Sequence, residues 1–121
     1  MSNHEKINYV EFPARDINAT KDFFGSVFGW TFMDYGPDYA AITNGGLDGG
    51  FYSSDKASST ENGATLVVLY SNDLESTLEK VVDGGGKIVK EIFSFPGGRR
   101  FHFTEPSGNE LAVWSDKGLD S

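Results

Sequence analysis

Apolar residues recur along this chain in two rhythms, and both rhythms occur twice. Residues 7–13 and 64–71 are rich in β-branched and aromatic side chains and read as strands. A helical period follows each: Ile17, Phe24, Val27 and Phe28 in the first copy, Leu74, Leu78, Val81 and Val82 in the second. Each set predicts one apolar face of a helix. Asp16 opens the first helix. Asn72-Asp73-Leu74-Glu75 opens the second as a capping box, with Asn72 as the cap and Glu75 reaching back. Gly29 and the Gly84-Gly85-Gly86 run supply the stops, where left-handed backbone costs little. Three short strand candidates follow each helix, over residues 30–35, 39–43 and 47–53 and then 87–93, 100–104 and 109–115.

The two copies superpose in sequence. At an offset of 57, residues 8–34 lie over 65–91 without a gap, matching Val10 with Val67, Asp16 with Asp73, Thr20 with Thr77 and Gly29 with Gly86. The offset then drifts to 61 and 62, which matches Trp114 with Tyr52. The expectation is an α+β fold of two tandem βαβββ modules, residues 7–53 and 64–115, within a single domain spanning 7–115. Residues 1–6 and 116–121 read as flexible tails.

Strand residues alternate between two faces, so one assignment fixes the other. Val10, Phe12, Ala40, Ile42, Phe51, Val67, Leu69, Phe101, Phe103, Leu111 and Val113 form the greasier set and are expected beneath the helices. The opposite face then carries Tyr9, Glu11, Tyr39, Tyr52, Tyr70, Arg100, His102, Glu110 and Trp114. Aromatic bulk with a few polar heads is the lining of a small-molecule cavity, and these nine residues are the candidate ligand contacts. The same aromatics also suit a barrel interior or a dimer interface. His102, flanked by Phe101 and Phe103, is forced onto the open face beside Arg100 and is the candidate acid/base group. Arg100 is the expected counter-ion for Glu11 or Glu110.

Composition narrows the chemistry. Cysteine is absent, which excludes disulfides, zinc ribbons and thiol nucleophiles, and with only His4 and His102 no three-histidine site exists in one chain. The net charge of −8 argues against nucleic acid as a partner. No apolar run approaches a membrane span and no signal sequence precedes residue 7, so the expected location is the cytoplasm, away from membranes. With 10 Phe, 5 Tyr and 2 Trp among 121 residues the chain has ample material for a core.

Two stretches resemble a known family. Residues 16–24 with Val27-Phe28-Gly29-Trp30 look like the first helix of the vicinal oxygen chelate superfamily, which includes glyoxalase I, extradiol dioxygenases and bleomycin-resistance proteins. Residues 95–111, with the turn Pro106-Ser107-Gly108-Asn109, resemble that family too. The resemblance implies paired βαβββ modules whose curled mixed sheets enclose a cavity and, in metal-dependent members, ligands on the first and last strand of each module. Those positions fall on Tyr9, Gly50, Leu66 and Ala112, which offer no ordinary ligand set. The expectation is therefore a homodimer without metal or cofactor that binds a small organic molecule. The alternatives are a lyase, isomerase or dioxygenase-type enzyme using His102 as acid/base or a relocated metal site of Glu11, His102 and Glu110, and an interaction module whose open face is a dimer interface.

Overall fold

The computed structural model describes residues 4–118. The first module runs β1 (Tyr9–Ala14), α1 (Ile17–Phe28), β2 (Phe32–Asp34), β3 (Tyr39–Ile42) and β4 (Asp48–Ser53). The second runs β5 (Val67–Tyr70), α2 (Leu74–Asp83), β6 (Lys87–Phe95), β7 (Gly98–Thr104) and β8 (Glu110–Ser115). Each module builds its own four-stranded mixed sheet in the same order, β1-β4-β3-β2 and β5-β8-β7-β6. The first and last strands of a module pair in parallel and the other neighbours antiparallel. The two sheets do not join into one closed barrel.

Both helices begin on an aspartate. The Asp16 carboxylate accepts from Ala19 N at 3.0 Å and that of Asp73 from Ser76 N at 3.2 Å, satisfying donors the first turn leaves free. The second cap is thus Asp73 and not Asn72. Glu75 does not reach back to the cap, because it pairs instead with Arg99 on β7. Gly29 ends α1 in the left-handed conformation, φ 74°. The chain then turns sharply enough for Trp30 to stack on Phe24, centroids 4.5 Å apart. Trp30 is thereby drawn into packing, and β2 starts only at Phe32, two residues later than the strand period predicts.

The greasy faces meet the helices as expected. Phe12, Phe51, Ile42, Phe101, Phe103, Leu111 and Val113 are buried in one core with Phe23, Phe24 and Val27 of α1 and Leu74 and Val81 of α2. Phe23 of the first module packs against Phe103 of the second at 5.9 Å, so the two modules share a core. Val82, counted in the helical stripe, stays 49% exposed because the stripe is wider than the contact.

A polar clasp also crosses between the modules. Glu105, 3% exposed at the β7–β8 turn, accepts at Oε1 from the Thr20 hydroxyl and the Ser107 amide, both at 2.7 Å, and at Oε2 from Asn109 Nδ2 at 2.6 Å. Asn109 also donates to Pro13 O, and the Asp16 amide donates to Ser107 Oγ. The turn motif that carries the family resemblance therefore locks the second module to the start of α1. The tails read from sequence are partly engaged: Asp116 accepts from the Tyr70 hydroxyl at 2.6 Å and Lys117 O from Arg99. Residues 1–3 and 119–121 of those tails lie outside the described residues.

Candidate functional site

The nine residues proposed from sequence fall into three groups. On the first sheet, β1 and β3 bring Tyr9, Glu11 and Tyr39 together. Tyr39 donates to Glu11 at 2.8 Å and lies 2.6 Å from the Tyr9 hydroxyl. Partial burial and those two hydrogen bonds push the Tyr39 phenol well above its ordinary range. Tyr52, opposite Tyr39 in the β3–β4 register, stays 40% exposed.

The second sheet holds the other two groups. Tyr70 and Trp114, opposite each other on β5 and β8, meet edge to face at 5.3 Å. Along β7, His102 Nδ1 lies 2.7 Å from Glu110 Oε2, and both side chains are buried, 2% and 7% exposed. Thr60, in the connection between the modules, donates to Glu110 Oε1 from its amide at 2.8 Å and its hydroxyl at 2.9 Å. Burial pushes the Glu110 carboxyl up, but the bonds from His102 and Thr60 together outweigh it and hold it below its usual value. A carboxylate there makes Nδ1 the donor, which in neutral imidazole leaves the lone pair on Nε2. Nε2 is buried and has no hydrogen-bond partner.

Arg100 is not the counter-ion expected from sequence. Glu110 is taken by His102 and Thr60, and Glu11 by Tyr39. Arg100 instead lies over the rings of Phe93 and Phe95, 5.3 and 5.7 Å from their centroids. Nor does the structure gather Glu11, His102 and Glu110 into a relocated metal site, since no group of three His, Asp or Glu among the described residues is placed to hold an ion.

The positions where the family resemblance would put metal ligands do not fit one either. Gly50, Leu66 and Ala112 bring no donor side chain, and the Tyr9 hydroxyl is engaged by Tyr39. At Gly50 even a Cβ would lie 2.1 Å from the Tyr39 hydroxyl oxygen, so the Tyr39 phenol fills the space a ligand side chain would need.

A well-formed cavity lies elsewhere. A cleft of about 440 Å³ opens between β1 and β5, walled by Val10, Phe12, Phe28, Trp30, Ile42 and Leu69 and lined also by residues 45–49. Of the nine sequence candidates only Tyr70 lines it. Sequence reasoning missed Phe28 and Trp30, which it assigned to a helix face and a strand, and Thr60, which lies in a connection without periodicity. Phe93 and Phe95, beneath Arg100, had a signal: they alternate along one strand.

Comparison with known proteins agrees with this architecture. The chain is 27% identical over 115 residues to the putative glyoxylase CFP32 of Mycobacterium bovis, covering 88% of this chain but 44% of that protein. The chain thus spans less than half the length of that mycobacterial relative. It is 26% identical over 128 residues to a glyoxylase-like domain-containing protein of Didymella fabae, covering 95% and 97% of the two chains. A crystal structure of a glyoxalase-related enzyme from Fulvimarina pelagi superposes with a TM-score of 0.76 at 15% identity, over 92% of this chain and 88% of that one, and shares the fold. The sequence model of the Glyoxalase/Bleomycin resistance protein/Dioxygenase superfamily matches residues 6–113, and the chain belongs to that superfamily.

Proposed function

We propose that the protein binds a small, largely apolar organic molecule in the cleft between its two sheets, without a metal ion. The cleft itself carries the reading: about 440 Å³ of space walled by Trp30, Phe28 and Phe12, with Asp48 and Tyr70 also on its lining. That volume and lining suit a small-molecule site. The metal-free part rests on the donor-poor set Tyr9, Gly50, Leu66 and Ala112 and on the Tyr39 phenol standing over Gly50. The test is a thermal-shift and NMR screen of small aromatic and dicarbonyl compounds, reading the indole N–H signals of the two tryptophans. Binding is expected to raise Tm and move the Trp30 signal. A screen in which no compound moves Trp30 overturns the cleft assignment. Stoichiometric nickel, zinc, iron or manganese retained through dialysis overturns the metal-free part.

One observation favours a second reading, a lyase-, isomerase- or dioxygenase-type reaction with His102 as acid/base. His102 is fixed through Nδ1 and keeps Nε2 unpartnered. Activity that survives His102→Ala unchanged removes it. We also infer a homodimer in the cytoplasm. Strands β1 and β5 are sheet edges, and Tyr9, Tyr52, Val68 and Tyr70 stand 40–48% exposed, as surfaces that a second copy would cover. Among the described residues no helix is long and apolar enough to cross a membrane. A monomer in sedimentation at micromolar concentration overturns the dimer.

A further inference from the structure

The outer face of the second sheet contains a cation, Arg100, that no carboxylate balances among the described residues. Arg100 is half-buried, its Nε is shielded from solvent without a hydrogen-bond partner, and among the described residues its side chain forms no ion pair. The acids nearest it along β8 are engaged by other groups: Glu110 by His102 and Thr60, and Asp116, just past the strand, by Tyr70. In a chain with 18 acidic and 10 basic residues, an arginine left without a carboxylate is the unexpected arrangement. Contact with ring faces offsets only part of the lost hydration, so the resting site favours an incoming anion.

The surroundings of Arg100 give that anion a shape. Bulges in the β6–β7 pairing set Phe93 opposite Arg100, and Phe95, two residues on, reaches the same guanidinium. Trp114 faces Arg100 across β7–β8, packs 6.4 Å from Phe95, and is met from its other neighbour by Tyr70 at 5.3 Å. This close packing requires glycine at position 98, where a Cβ would come within 2.7 Å of Ser115 O and 3.0 Å of the Trp114 ring. The result is an aromatic shelf with a guanidinium fork in it. His102 lies two residues along the same strand face, with Phe93 packed 5.9 Å from its ring.

We propose that this face is a second binding site, separate from the cleft, for an organic carboxylate with a flat apolar body. The carboxylate is held by the Arg100 fork, which matches a planar two-oxygen anion, and the body lies against Phe95 and Trp114. Lys90, whose Nζ lies 5.9 Å from the Phe93 centroid, adds a further positive charge at the margin. A dianionic phosphate is disfavoured relative to a carboxylate because the net charge of −8 opposes two charges more than one.

The two tryptophans make the test direct, since Trp30 lines the cleft and Trp114 lies on the shelf. 2-Naphthoate, 2-naphthamide and 2-naphthyl phosphate are titrated separately into the full 121-residue chain while both indole N–H signals are followed. Naphthoate is expected to move Trp114 saturably with little effect on Trp30, to bind at least tenfold tighter than the amide, and to weaken with added salt. Arg100→Gln is expected to reduce naphthoate affinity tenfold or more and leave the amide unchanged, with an unmoved Trp30 signal reporting an intact fold. If that variant does not fold, the acid-to-amide ratio in the unaltered protein decides alone. Equal affinity for acid and amide, no response at Trp114 up to 10 mM naphthoate, or tighter binding of the phosphate overturns the proposal. Movement of Trp30 that persists in Arg100→Gln assigns naphthoate to the cleft, which overturns this site while supporting the cleft reading.

Discussion

Glu105 and Glu110 lie at either end of the β7–β8 turn, 3% and 7% exposed, and each accepts three hydrogen bonds. They differ in who donates. Every donor to Glu105 is neutral: a threonine hydroxyl, a backbone amide and an asparagine. Burial therefore prevails over its hydrogen bonds and raises its pKa. Glu110 has His102 among its donors, and its pKa ends below the ordinary value despite the opposing effect of burial. The first acid is a closed structural joint with every donor paired inside the protein. The second is hydrogen-bonded to an imidazole whose other nitrogen has no partner. Burial of a carboxylate thus does not separate structure from chemistry; the capacity left over in its partners does.

The comparison is broken most forcefully at the clasp. Glu105→Ala removes three buried hydrogen bonds at once. It leaves the Ser107 amide unpaired, and it takes one acceptor each from the Thr20 hydroxyl and Asn109 Nδ2, which keep Ser107 Oγ and Pro13 O. Each buried bond lost costs about 1 kcal/mol and an unpaired buried donor about 1–3 kcal/mol. We expect a loss of about 3 kcal/mol or more in urea unfolding, whereas a loss under 1 kcal/mol would show that the clasp does not hold the modules together.

Opposite pKa shifts also demand opposite pH slopes. Glu105 has a raised folded pKa, so its contribution is most favourable in acid and declines as pH rises from its unfolded value near ~4.3 through the folded one. Glu110 has a lowered folded pKa, so its contribution is fully present above about pH 4.3 and is lost as pH falls through the folded value. Relative to the unaltered protein, the penalty of Glu105→Gln is expected to shrink from pH 4 to pH 7. The penalty of Glu110→Gln, with His102 still facing it, is expected to grow from pH 3 to pH 5. Each slope is bounded at about 1.4 kcal/mol per pH unit. Parallel slopes in chemical denaturation would erase the distinction.

Much of the scaffold behind this comparison is legible in the sequence. The offset of 57 sets Ile17 over Leu74, and both residues begin a helix. Alternation alone assigns Phe101 and Phe103 to the core and His102 to the other face. What escapes is decided by contacts between elements. Glu75 is taken from its own helix end by Arg99, 24 residues away. Trp30 is drawn out of its strand by Phe24. The cleft depends on how far β1 and β5 stand apart once the helices share a core, a distance that no local pattern encodes. Thr60 reaches Glu110 across 50 residues from a connection with no period at all.

A single substitution made in both networks gives the smallest and cleanest contrast. Thr20 is fully buried, donates to Glu105 and shares a 2.7 Å hydrogen bond with Ser107, so Thr20→Val takes one bond from each of two buried partners. Its cost is expected at about 2 kcal/mol, from two lost buried hydrogen bonds at about 1 kcal/mol each. Thr60 is exposed, and Thr60→Val removes only the hydroxyl bond to Glu110 while the backbone amide remains on the same oxygen. Its cost is expected at about 0.5 kcal/mol, because water can replace the lost donor. Chemical denaturation of the two variants measures the difference. Equal costs would mean that the Glu110 network is as closed as the clasp, and the unpartnered Nε2 of His102 would then have to be regarded as part of the packing.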